Sequence, residues 1–107
     1  MTDPPSPTMS RIEVAPEVLD DFDRFLDHLA QFDIGSAPAR IAEILDAVQI
    51  LANNPLMGRP VRGGKRELVI GRGARGYVAL YRYVAKIDTV FLLAVRNQRE
   101  SGYQRGV

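Results

Sequence analysis

From Val18 to Phe32 apolar side chains return every third or fourth position: Val18, Leu19, Phe22, Phe25, Leu26, Leu29 and Phe32. Asp20, Asp23, Arg24, Asp27 and Gln31 fill the opposite side, so the spacing predicts a strongly amphipathic α-helix ending near Phe32. Pro16 fits its first turn, where Glu17, Asp20 and Asp21 complement the positive end of the helix dipole. A second stripe, Ile41, Ile44, Leu45, Val48, Leu51 and Ala52, predicts another helix capped by Ser36 and closed by Asn53-Asn54-Pro55. The short break at Gly35 and Ser36 makes the pair an antiparallel hairpin, which still needs a surface on which to lay its apolar stripes.

Elsewhere the period is two. Arg11–Ala15 alternates polar and β-branched residues, as a short edge strand does. The segment 54–64 is rich in turn formers and reads as a loop, with Leu56 and Met57 tucked inward. Strands follow at Lys65–Gly71, Tyr77–Val84 and Asp88–Arg96, joined by the hairpin loop 72–76 and a turn at 85–87, and hairpin connections make the three antiparallel. Val90–Val95 shows no polar alternation, the pattern of an interior strand covered on both faces. In Tyr77–Val84 the positions alternate between Val78, Leu80, Arg82 and Val84 and the set Tyr77, Ala79, Tyr81 and Tyr83, so one face is core and the other an aromatic surface. The resulting order β-α-α-β-β-β, with an α-hairpin on one face of a small, mainly antiparallel sheet, is an α+β fold.

Composition adds limits. At 107 residues and 46% apolar, one domain and one core are expected, spanning residues 10–107 behind a Pro-rich, disordered tail of residues 1–9 in which Met9 offers an alternative start. The N-terminus has neither the basic region nor the apolar stretch of a signal peptide, and no run approaches the roughly 20 apolar residues of a membrane span. Without cysteine there is no thiol chemistry, so a soluble, cytoplasmic protein is the expectation. Net charge is misleading: residues 1–57 hold ten acids and three bases, and residues 58–107 hold three acids and eleven bases. A helical half at −7 and a sheet half at +8 point to a charged partner.

The candidate chemistry is sparse. His28 stands alone on a helix without a second ligand, and Asp20, Asp21, Asp23 and Asp27 read as a solvated helix face, so neither a metal nor a cofactor is expected. Gly71-Arg-Gly-Ala-Arg-Gly76 joins two strands rather than a strand and a helix, which makes it a tight turn and not a phosphate loop. Its Arg72 and Arg75, with Arg62, Lys65 and Arg66, could form a basic lobe that contacts phosphates or a carboxylate-rich protein, or could equally serve solubility alone. Arg96, Arg99 and Tyr103 follow the last strand. Arginine and tyrosine there could bind phosphate and stack on a base, or could equally be a charged strand end and a ring over the core.

Asn54–Pro60, Arg66–Gly71, Gly76–Tyr83 and Asp88–Tyr103 together resemble, in that order, the RelE/ParE superfamily of type II toxin–antitoxin toxins, with the ParE branch the closer match. The resemblance runs from about Ser10 to Tyr103, and its fold is the one reached above. It implies a growth-inhibiting toxin held inactive by a cognate ParD-like antitoxin with a DNA-binding first part and an acidic helical tail. ParE-like members poison DNA gyrase without chemistry of their own, whereas RelE-like members are ribosome-dependent mRNA endoribonucleases. In the RelE pattern lysines line the strand before the hairpin, an arginine follows the tyrosine that opens the next strand, and another stands late in the last strand. Here those positions read Glu67-Leu-Val-Ile, Val78 and Asn97. Each missing cation costs about two to three orders of magnitude in such chemistry, so the resemblance implies no catalytic residues. If the chain were a nuclease, they would be Arg96, Arg99 and Tyr103. The residues expected to contact the target are Arg72, Arg75, Arg96, Arg99 and Tyr103, and those expected to meet the antitoxin are Tyr77, Tyr81 and Arg82. A degenerate, non-toxic antitoxin-binding member is a third reading.

Overall fold

The computed structural model describes residues 9–30, 37–71 and 76–107. Strand β1 (Arg11–Val14) leads into helix α1 (Val18–Ala30), helix α2 (Ala37–Gln49) and a 3-10 turn, Ile50–Ala52. Strands β2 (Arg59–Val61), β3 (Lys65–Ile70), β4 (Tyr77–Val84) and β5 (Thr89–Asn97) complete the chain. They form one mixed sheet of order β1-β5-β4-β3-β2, in which only the β1–β5 pair is parallel. The fold is α+β as expected, with β1 at an edge. Strand β2 was hidden in the expected loop, because Arg59-Pro-Val61 carries no alternation and Pro60 is tolerated only on an edge such as this.

Both helices cover the same face of the sheet. Val18, Phe22 and Phe25 of α1 and Ile44 and Val48 of α2 meet Leu68 and Ile70 of β3, Tyr77, Ala79 and Tyr81 of β4, and Val90, Leu92 and Val95 of β5. The tyrosines of β4 therefore lie on the core face, which corrects the expected aromatic surface: Tyr77 is 4% and Tyr81 0% exposed. The Tyr81 hydroxyl remains satisfied there, donating to Pro55 O at 2.8 Å and accepting from the Gly58 N–H at 2.8 Å. Burial raises its pKa, against the lowering effect of the Gly58 N–H and the Arg66 charge. Leu56 and Met57 are exposed rather than tucked in.

The stripe on α1 is shifted too. Leu19 and Leu26 are exposed and Asp21 is buried at 1%, whereas Asp20, Asp23 and Asp27 face water. The cause lies in β5. A bulge opposite the Leu80–Tyr81 step lets Leu80 pair with Ala94 and Tyr81 with Leu92, leaving Leu93 as the extra residue. Beyond Ala15, whose N–H donates to Leu92 O, β1 no longer runs beside β5. The Asp21 carboxylate takes over, accepting the buried Val95 N–H at 3.0 Å, while Arg105 donates to Leu93 O. Among the described residues no helix is long and apolar enough to cross a membrane.

Candidate functional site

The face of the sheet away from the helices carries Lys65, Glu67 and Val69 of β3, Val78, Leu80 and Arg82 of β4, and Phe91, Ala94 and Arg96 of β5, as the strand registers require. One half of it is closed by the chain after β5. Tyr103 folds back so that its hydroxyl donates to Glu67 Oε2 at 2.7 Å. Arg59 of β2 donates to Glu67 Oε1 from Nη2 at 2.7 Å and from Nε at 3.1 Å. The Arg96 guanidinium lies 5.3 Å from the centre of the Tyr103 ring, and its Nη2 is 4.0 Å from Glu67 Oε2. Its Nη1 holds the turn by donating to Glu100 O at 3.0 Å.

Burial alone would raise the Glu67 pKa, but hydrogen bonds from Tyr103 and Arg59 and the charges of Arg59 and Arg96 bring it below the ordinary value. Tyr103 moves the other way. Burial pushes its hydroxyl up, and the bond to Glu67 and that carboxylate's charge push it further. A tyrosine so held stays protonated, and an arginine stacked under it has its charge answered by Glu67. The cluster joins β2, β3, the end of β5 and the tail after it around one carboxylate.

A second set of ion pairs ties the same tail to α1. Asp21 Oδ1 accepts from Arg24 Nη1 and from Arg105 Nη1, each at 3.0 Å, and Arg24 Nη2 reaches Glu100 Oε2 at 3.1 Å. A further carboxylate, Asp88, sits at φ 47° in the turn before β5 and accepts from the hydroxyls of Ser10 at 2.6 Å and Tyr83 at 2.7 Å. The Ser10 and Tyr83 hydrogen bonds hold its pKa below the ordinary value. Among the described residues no group of three or more histidines, cysteines and carboxylates could hold a metal ion.

Compared with known families, residues 12–102 match the ParE toxin of the type II toxin–antitoxin system parDE. The chain belongs to the ParE toxin family. No curated protein matches it by sequence. Among solved structures, a chromosomal ParDE toxin–antitoxin system from P. aeruginosa has the same fold at TM-score 0.71 and 21% identity, covering 84% of this chain and 97% of that one. The RelBE2 toxin–antitoxin complex from Mycobacterium tuberculosis aligns at TM-score 0.62 and 19% identity over 89% and 98% of the two chains. A mutant of the E. coli toxin RelE in the free state aligns at TM-score 0.54 and 11% identity over 87% of each.

In this ParE-family chain the structure joins two of the sequence-derived candidates, Arg96 and Tyr103. Arg99 lies exposed in the turn after β5, its N–H donating to Asn97 Oδ1 at 2.9 Å. Arg72 and Arg75 lie outside the described residues. Of the three residues expected to meet an antitoxin, only Arg82 is exposed, donating to Gly63 O at 3.1 Å; Tyr77 and Tyr81 are inside the core and offer no surface. Sequence reasoning missed Glu67, Arg59, Asp21 and Arg105. A signal for Glu67 existed: residues 58–107 hold only three acids, Glu67, Asp88 and Glu100, and each proves to be a fixed acceptor.

Proposed function

We propose that this chain is a growth-inhibiting toxin that acts in the cytoplasm by binding DNA gyrase, without chemistry of its own, and that a cognate antitoxin neutralises it. Membership of the ParE family and the likeness to the toxin of a ParDE system support the toxin–antitoxin part. The observation that carries the non-enzymatic part is Glu67. Where a ribonuclease would offer free cations and a proton acceptor to a phosphodiester, this face spends Arg59, Arg96 and Tyr103 on an internal carboxylate. Tyr103 is a poor base, since its proton is held and its pKa raised by burial and by Glu67.

Mapping of transcript ends after induction tests this reading. Growth arrest with an SOS response and no new ends is the expected result. Codon-phased cuts that disappear in Tyr103→Phe would establish a nuclease instead, and induction without any growth defect would make the chain a non-toxic antitoxin binder.

A further inference from the structure

The turn between β2 and β3, Arg62-Gly63-Gly64, gathers cations that the rest of the fold leaves unanswered. Gly63 and Gly64 take φ of 82° and 72°, a left-handed backbone that a side chain would strain. A Cβ at Gly63 would lie 3.8 Å from Lys65 Nζ, and Arg82 Nη2 donates to Gly63 O at 3.1 Å, so both cationic heads stand beside one residue. The sheet brings them there, since Lys65 and Arg82 come next after the Arg66–Tyr81 pair on adjoining strands and share the outer face. Arg62, exposed in the turn, directly precedes Gly63.

No carboxylate answers this group. Among the described residues Arg62, Lys65 and Arg82 enter no ion pair, whereas Arg24, Arg59, Arg96 and Arg105 all do. The acid two positions along β3, Glu67, is already taken by Arg59, Tyr103 and Arg96. Like charges brought together across two strands cost stability, so an unneutralised pair of this kind calls for an external anion. The N–H groups of Gly63 and Gly64 donate to no backbone carbonyl among the described residues and add two further donors.

We infer that this turn binds the phosphodiester backbone of duplex DNA, with Arg62, Lys65 and Arg82 each answering one phosphate. The gyrase reading needs no nucleic-acid contact from the chain itself, so the inference goes beyond it; only the choice of DNA over RNA rests on that reading. A phosphate asks for donors and charge alone, and a duplex offers one negative charge per roughly 1.7 Å of its axis. An amphipathic acidic protein segment would also need apolar pockets beside the charges, and the exposed tip is Arg-Gly-Gly.

The test is fluorescence anisotropy of a labelled duplex titrated with the full chain alone, without gyrase, over a salt series. Arg62→Ala, Lys65→Ala and Arg82→Ala should each flatten the slope of log K against log salt by about 0.9, and the triple change by about 2.7. Between about 50 and about 200 mM salt the wild-type chain then loses about fortyfold more affinity than the triple variant. Arg40→Ala, on α2 in the helical layer, should leave the slope unchanged. Thermal melts verify folding, and the exposed Arg62→Ala and Arg82→Ala carry the test if the half-buried Lys65→Ala melts early. A triple variant with the wild-type slope, or a wild-type chain that binds no duplex, would overturn the inference. So would single-stranded RNA bound more tightly than the duplex, or polyglutamate competing as well as DNA at equal charge, which would assign the turn to an acidic protein. Gyrase left unimpaired by a chain that binds DNA would sink the gyrase reading alone, and inhibited gyrase without DNA binding would sink this inference alone.

Discussion

Replacing Asp21 by alanine should destabilise the fold far more than any other change on the exterior turns of α1. The side chain is 2% exposed, and its two oxygens serve three donors: the Val95 N–H and the guanidinium groups of Arg24 and Arg105. Its loss strands a buried N–H, which costs about 1–3 kcal/mol. Breaking a fully buried ion pair costs about 3–5 kcal/mol, but the Arg24 and Arg105 side chains are 30% and 25% exposed and can turn to water. Their part is therefore discounted to about 1 kcal/mol. The sum is about 2–4 kcal/mol, a large share of the roughly 5–15 kcal/mol typical of a domain. At about 4–8 °C per kcal/mol the midpoint should fall by at least about 8 °C. Urea unfolding with linear extrapolation measures it, with Asp20→Ala, at an exposed neighbour, as the reference. Asp21→Asn keeps an acceptor for Val95 and should lose about half as much. The reasoning is refuted if Asp21→Ala stays within about 0.5 kcal/mol of Asp20→Ala, a margin typical of surface changes.

Three further outcomes follow from the same contacts. Gly58→Ala should cost about 1–3 kcal/mol by overpacking, because a Cβ there would lie 2.7 Å from Glu67 O and from the buried Tyr81 ring; thermal melts check it. Tyr103→Phe removes one hydrogen bond to a carboxylate and should cost about 1–2 kcal/mol in urea, while toxicity on induction falls by no more than a few-fold. Glu67 has a lowered pKa, so the stability it contributes is fully present above the ordinary glutamate value and is lost as pH falls through its own lower one. Urea curves over a pH series should show the gap between wild type and Glu67→Gln constant from neutral pH to the ordinary glutamate range and closing below it. A gap that persists in strong acid would contradict the assignment.

The apolar spacing of both helices and the β-branched runs of β3, β4 and β5 were enough to place the elements, although the buried stripe departs from it in α1, where Leu19 and Leu26 are exposed, and in β5, where a bulge shifts it. What they could not show was which stripe of β4 is inside. Tyr77 and Tyr81 carry polar tips and look like surface residues, yet Tyr81 is fully buried because Pro55 and Gly58 meet its hydroxyl. Asp21 was read as part of a solvated face for a related reason. Its acceptor role depends on a bulge in β5 and on the early end of β1, and both are long-range events that no local pattern records. In the site, Arg96 and Tyr103 were visible as a pair near the last strand, but Glu67 was taken only as a missing lysine. Its partners lie 8 and 36 residues away, and only the folded sheet brings them together.

Purified chain added to the host's gyrase with supercoiled plasmid, followed by detergent trapping of protein–DNA covalent complexes, tests the central claim most directly. Dose-dependent inhibition of supercoiling with trapped, linearised plasmid, retained in Tyr103→Phe and reversed by the antitoxin, is the predicted result. Gyrase that works unimpaired at chain concentrations that arrest growth would contradict it.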